Sequence, residues 1–223
     1  MVSASLGQLG STRVGAALLA SVAEHGSGSH DFLLSEALLK GPHAARNLSD
    51  AVHFLCMLHG RQPGVIDHAA NRSVEPAARA WFNGAIDRFG IERTLLTKLA
   101  VAAGPIPSTA GAGDTEAVVI SQRHAIEMLA QSERNGCALG AALAVALDWR
   151  HIRGVLDAAA ARFGIEVPPY DLGEPQTIRE VAEAIGATPA AERAILFGAE
   201  QISIQHRGLW DLLEARQQAR GPY

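Results

Sequence analysis

Apolar side chains recur at intervals of three and four residues along nearly the whole chain. This is the period of amphipathic helices, whereas Val/Ile/Thr alternation, the mark of strands, never persists. Near the C-terminus the stripe runs Ile195, Ala199, Ile202, His206, Leu209, Leu213. A second runs Ala78, Phe82, Ala85, Phe89, Glu92, Leu96, Leu99, Ala103, and a third Ala141, Val145, Asp148, Ile152, Val155, Ala159. An earlier, shorter stripe is Leu48, Val52, Leu55 and His59, and a further segment presents Val118, Gln122, Ala125 and Leu129.

Capping residues and breakers divide these stripes into elements. Ser11 opens a helix to about Glu24, and Ser29 a second to Lys40, stopped by Gly41-Pro42. Asn47 or Ser49 opens a third that Gly60 ends, and a short helix covers Val65 to Asn71. Ser73, with Pro76 behind it, caps a long helix that Gly104-Pro105 stops. After the flexible connector GPIPSTAGAGD, Asp114 or Thr115 opens a helix to about Arg134. The next runs from Cys137 to Phe163 and ends at Gly164, Thr177 caps a minor helix, and Thr188-Pro189 starts the last, to about Arg216; the terminal GPY is frayed. The expected fold is all-α, one domain over residues 1–223. About four long helices form a bundle in 73–217, and shorter N-terminal helices occupy 1–60. Gly140 and the many alanines of Cys137–Leu147 make that helix thin and apolar on every face, which places it at the centre.

Composition narrows the classes of function. The chain is 48% hydrophobic and carries a net charge of −4. No Lys/Arg run is interleaved with aromatics, which argues against nucleic acid as a partner. No apolar run approaches the ~20 residues that span a bilayer, so no membrane span is expected. Cys56 and Cys137 each sit in apolar helical sequence and read as buried free thiols, pointing to a reducing, cytoplasmic setting. Arg13, VGAALLA and Ser21-Val22-Ala23 imitate a short signal peptide; the reading adopted is an amphipathic helix with Val14, Leu18 and Ser21 on one face.

The chemistry resides in polar residues that interrupt the stripes: Glu92, Asp148, His206 and, at a helix edge, His59. Buried carboxylates and imidazoles are costly unless paired or ligated. Two carboxylates and two imidazoles from four helices could hold di-iron or manganese, as helical carboxylate bundles do. The favoured reading is a satisfied structural network, with Asp148 or Glu92 paired to His206 or to an Arg from a neighbour; a stripe could also be displaced so that one or more faces solvent. The Glu-x-x-His signature of ferritin-like sites is absent from the core stripes, and His124 with Glu127 reads as a solvated pair in the reverse order. Asp67-His68 reads as a surface turn, His53 as exposed, and Trp81, Trp149 and Trp210 as core or interface.

The segments LSDAVHFLCMLHGRQPGVIDHAA, RTLLTKLAVAAGPIPST and SQRHAIEMLAQSERNGCALGAALAVALDWRHIRGVLDAAAARFG resemble a family of helical alphaproteobacterial proteins of unknown function, over roughly Leu48 to Gly164. The resemblance implies a bacterial cytoplasmic setting and assigns no catalytic residue. Two functions are then expected: a non-catalytic helical protein that binds a partner chain, a second copy of itself or a small apolar ligand, or a ferritin-like metal-dependent oxidoreductase using Glu92, Asp148, His206 and His59.

Overall fold

The computed structural model describes residues 3–106 and 112–220, the side chains of residues 3–12 and 112 excepted. Residues 107–111 of the GPIPSTAGAGD connector and the terminal GPY lie outside the described residues. The described residues form α1 (Ser3–His25), two 3-10 turns (Ser27–Ser29 and Asp31–Leu34), α2 (Glu36–Leu39), α3 (Ala44–His59), α4 (Val65–Arg72) and α5 (Pro76–Ala103). Then follow α6 (Ala112–Ala130), α7 (Cys137–Phe163), α8 (Pro175–Ile185) and α9 (Pro189–Ala219). Among them there is no strand, so the fold is all-α. No helix among the described residues is long and apolar enough to cross a membrane.

The helix α7 is the axis. It packs against α1, α3, α4, α5, α6, α8 and α9, most extensively against α9, and Cys137 to Ala146 are all buried. Gly164, at φ 70°, takes the left-handed conformation that ends it. Along α9, Thr188 accepts a hydrogen bond from the Ala191 amide and Pro189 opens the helix, as the sequence indicates. The N-terminal helices do not form a cap at one end: α1 lies on α8 and α9, while α3 is inserted among α5, α6 and α7. Val14, Leu18 and Val22 supply the buried face of α1, and Ser21 is only half-buried.

Several expected boundaries move, for local reasons. α1 runs through Ser11 without a break. The helix expected from Ser29 to Lys40 is instead two 3-10 turns and the short α2, because side chains there bind the backbone in competition with helix. Ser29 bonds the Gly26 carbonyl, His30 accepts from Phe32, and Ser35 caps α2 by accepting from Leu38. α3 opens before Asn47 and Ser49: Asn47 donates to the Ala37 carbonyl and Ser49 to that of Ala45. Ser73 closes α4, and Glu75 caps α5 by accepting from the Ala78 amide at 2.6 Å. Thr177 lies inside α8, which starts at Pro175. The buried face of α6 is rotated by one residue, to Val119, Gln122, Ile126 and Ala130, leaving Val118 exposed.

The crossing of α7 and α9 is a backbone contact. A Cβ on Gly140 would lie 2.1 Å from the Ile195 carbonyl oxygen, and one on Gly198 2.1 Å from that of Cys137. No side chain can yield here, since the obstacle is backbone. Gly140→Ala and Gly198→Ala should therefore each force the helices apart and cost about 1–3 kcal/mol, a fall of roughly 2–4 °C in Tm per kcal/mol for a chain of this size. Thermal melts in which both variants match wild type would show that the crossing is looser.

Candidate functional site: a buried relay beside a cavity

The four residues singled out from the stripes, Glu92, Asp148, His206 and His59, are all buried, none above 5% exposed. They divide into two centres. In the first, the His206 ring lies 2.6 Å from Asp148 (Nδ1 to Oδ2), and its Nε2 lies 2.9 Å from Nε2 of His59. Ser27 completes the Asp148 shell: its amide donates to Oδ1 at 2.7 Å and its hydroxyl to Oδ2 at 2.5 Å. Four elements thus meet on one chain of bonds: the 3-10 turn, α7, α9 and α3. The turn can approach because residue 26 is glycine; a Cβ there would stand 2.6 Å from Asp148 Oδ1.

In the second centre Glu92 is fully occupied. The Trp149 indole donates to one oxygen at 2.9 Å and Arg153 to the other at 2.7 Å. Arg153 also donates to Asp157 and to the Pro168 carbonyl, tying the loop after α7 to the core. Burial pushes the Glu92 carboxyl up, against the opposing pull of Trp149 and Arg153. Glu92 does not join the other three, and among the described residues no group of three or more His, Cys, Asp or Glu side chains is arranged to hold a metal ion.

The Asp148 carboxylate fixes one proton position in the first centre. An ionised carboxylate only accepts, so His206 carries its proton on Nδ1. With both rings neutral, His206 Nε2 accepts from His59 Nε2–H, which leaves His59 Nδ1 as an acceptor with no partner among the described residues. Burial would raise the Asp148 carboxyl, but the His206 bond, the charge that ring carries when protonated, and the two Ser27 bonds outweigh it and hold the group below the usual 3.8. His59 is held well below 6.5, by burial first and then by His206 and Arg93. Its ring stands edge-on to those of Trp149 and Phe89.

His59 lines a cavity of about 310 Å³ between α3, α4, α5 and α6. Leu58, Val65, Phe89, Ile126 and Ala130 give it apolar walls, while His68, Arg93 and Arg123 add polar ones. Arg93, missed in the sequence because it neighbours a stripe position, is buried, lies over the Phe89 ring at 4.8 Å, and pairs with Asp67. Asp67 is therefore no surface residue: it is buried and also accepts from the Gly64 amide at 2.8 Å, capping α4. Beside it the Gln62–Pro63 peptide is cis. Arg123 lies 3.5 Å from Glu127. The Nε atom of Arg93 is buried without a hydrogen-bond acceptor, whereas that of Arg123 is the atom facing Glu127.

The remaining assignments divide. His124 and Glu127 do form an exposed pair. Trp149 and Trp210 are fully buried and Trp81 nearly so. His53, expected in solvent, is half-buried, with Nε2 out of contact with water. Cys137 is buried and Cys56 half-buried; both are free thiols, and burial pushes that of Cys56 up.

Residues 22–221 match the family of unknown function DUF6975, and the chain belongs to that family. Ser27, His59, Asp148 and His206 all fall inside the matched span. No curated protein and no solved structure matches the chain.

Two predictions follow from the relay. Removing one partner strands the others in the core, so Asp148→Asn and His206→Leu should each cost about 1–3 kcal/mol or more in urea unfolding; wild-type midpoints would show that the network carries no stability. The second concerns pH. The folded His59 binds a proton less readily than its unfolded counterpart, so the unfolded chain takes up more protons below 6.5. Stability should fall as pH drops below that value, by up to about 1.4 kcal/mol per pH unit from this group. His59→Gln should remove that component of the slope; an unchanged slope in the variant would refute the assignment.

Proposed function

We propose that this protein binds a small amphipathic acid in the cavity between α3, α4, α5 and α6. The observation that carries the reading is the cavity's lining, which sets the guanidinium groups of Arg93 and Arg123 against an apolar wall of Leu58, Val65, Phe89, Ile126 and Ala130. Asp67 and Glu127 pair with these arginines, and a guanidinium carries five N–H donors, so a ligand carboxylate can be held by the donors that remain. The volume lies at the low end of the range for small-molecule sites, which favours a compact ligand with one charged end. Two cysteines left as free thiols support a reducing, cytoplasmic setting.

Benzoate and octanoate are suitable probes, each an apolar body with one carboxylate. Millimolar benzoate or octanoate should raise Tm in a concentration-dependent manner. Ile126→Trp, which fills the cavity, should abolish the shift. Arg123→Gln should weaken binding by about tenfold, the worth of one charge-assisted hydrogen bond. No shift with either probe, or a shift that survives Ile126→Trp, would refute the reading.

A further inference from the structure

The relay has one end in the core and the other on the cavity. At the core end Asp148 is 1% exposed and fully engaged by Ser27 and His206. At the cavity end His59 has committed Nε2 to His206, and its Nδ1 has no hydrogen-bond partner among the described residues. A network that served only to fix helix register would not need to terminate on a cavity wall with an open acceptor. We propose that His59 receives the acidic proton of the cavity's occupant and that His206, backed by Asp148, takes the resulting charge; the occupant is therefore a weak acid with an ionisable O–H, bound as its conjugate base. This rests on the reading of the cavity as an acid-binding site.

The step balances. The O–H bond of the acid breaks and its proton goes to His59 Nδ1. The Nε2 proton of His59 moves to His206 Nε2. His206 keeps its Nδ1 proton, donated to Asp148. The products are a bound anion, a neutral His59 in its other tautomer, and a His206 imidazolium paired with the Asp148 carboxylate. No oxidant or reductant takes part. Passing the charge inward avoids placing a cation on His59 beside the guanidinium groups of Arg93 and Arg123. Of the other titratable groups around His59, Arg93 is held by Asp67 from α4 and Arg123 by Glu127 on its own helix. His68 of α4 and Arg61, just beyond α3, also line the cavity. Neither reaches Asp148, so His59 is the group that connects the cavity to the buried carboxylate.

A nitrophenol separates the alternatives, because its phenolate absorbs in the visible and its phenol does not. 4-Nitrophenol is titrated into the protein by calorimetry in slightly alkaline buffers of differing ionisation enthalpy, where the free probe is ionised, and the bound spectrum is recorded. The expected result is uptake of about one proton per probe bound with the phenolate band retained: the proton has entered the protein and not the ligand. His206→Gln, which removes the group that takes the charge, should bind the phenolate with uptake reduced towards zero, and Ile126→Trp should weaken binding at least tenfold. Retained phenolate without proton uptake would overturn the relay, as would uptake accompanied by loss of the band. Uptake that persists in His206→Gln would overturn it too. Absent binding, or binding that Ile126→Trp leaves intact, would instead overturn the cavity reading on which it rests.

Discussion

A carboxylate placed on the apolar face of the central helix constrains everything around it. Asp148 lies on α7 in line with Ala141, Val145, Ile152 and Val155, at a depth where an unpaired charge would be prohibitively costly. Its oxygens must find donors, and they come from two distant parts of the chain: Ser27 before it and His206 after it. Bringing Ser27 within reach requires the chain to leave helix after His25 and to pass Gly26 directly over the carboxylate. Bringing His206 within reach sets how far α9 slides along α7, and the glycine contacts at 140 and 198 bring the two helices close enough for the bond to form.

His206 then leaves one ring nitrogen, and His59 satisfies it from α3. This explains why α3, though short and N-terminal, is held among the long helices. The two polar centres are adjacent along α7, at residues 148 and 149. Trp149 donates to Glu92 while its ring packs edge-on against His59, so the orientation of the relay's outer imidazole depends on the second centre as well. Phe89 serves both the cavity and this aromatic cluster, and Arg93 lies over it. The cavity wall is thus built from the same residues that fix the core, and its shape is set when the chain folds.

Much of the architecture was legible in the sequence because helix periodicity is a local signal. The stripes through Glu92, Asp148 and His206, and the shorter one ending at His59, identified four buried polar residues, and α7 was read with both ends correct. The sequence could not say how those residues sit along the bundle axis. That depends on helix crossings set by long-range contacts, and it is why Glu92 was grouped with a centre it does not join. Ser27 went unnoticed because its role is a close approach made possible by the preceding glycine, in a segment that reads as a loop. Asp67 looked like a turn residue because its partner, Arg93, is 26 positions away. Arg93 and Arg123 carry no periodic signature as cavity residues, since each follows a stripe position by one. The rotation of the α6 face has a similar origin: Val118 and Val119 are chemically alike, and only packing chooses between them.

The account depends most on the direction of the bonds between Asp148, His206 and His59, which nitrogen-15 NMR of the imidazole rings reads directly. The expected spectrum near neutral pH shows a strongly deshielded His206 Nδ1 proton, shared with Asp148. It also shows His59 protonated on Nε2 and bare on Nδ1 while His206 is neutral, with the His59 ring uncharged well below pH 6.5. A His59 protonated on Nδ1, or one that titrates as an exposed imidazole would, contradicts the relay and the role assigned to it.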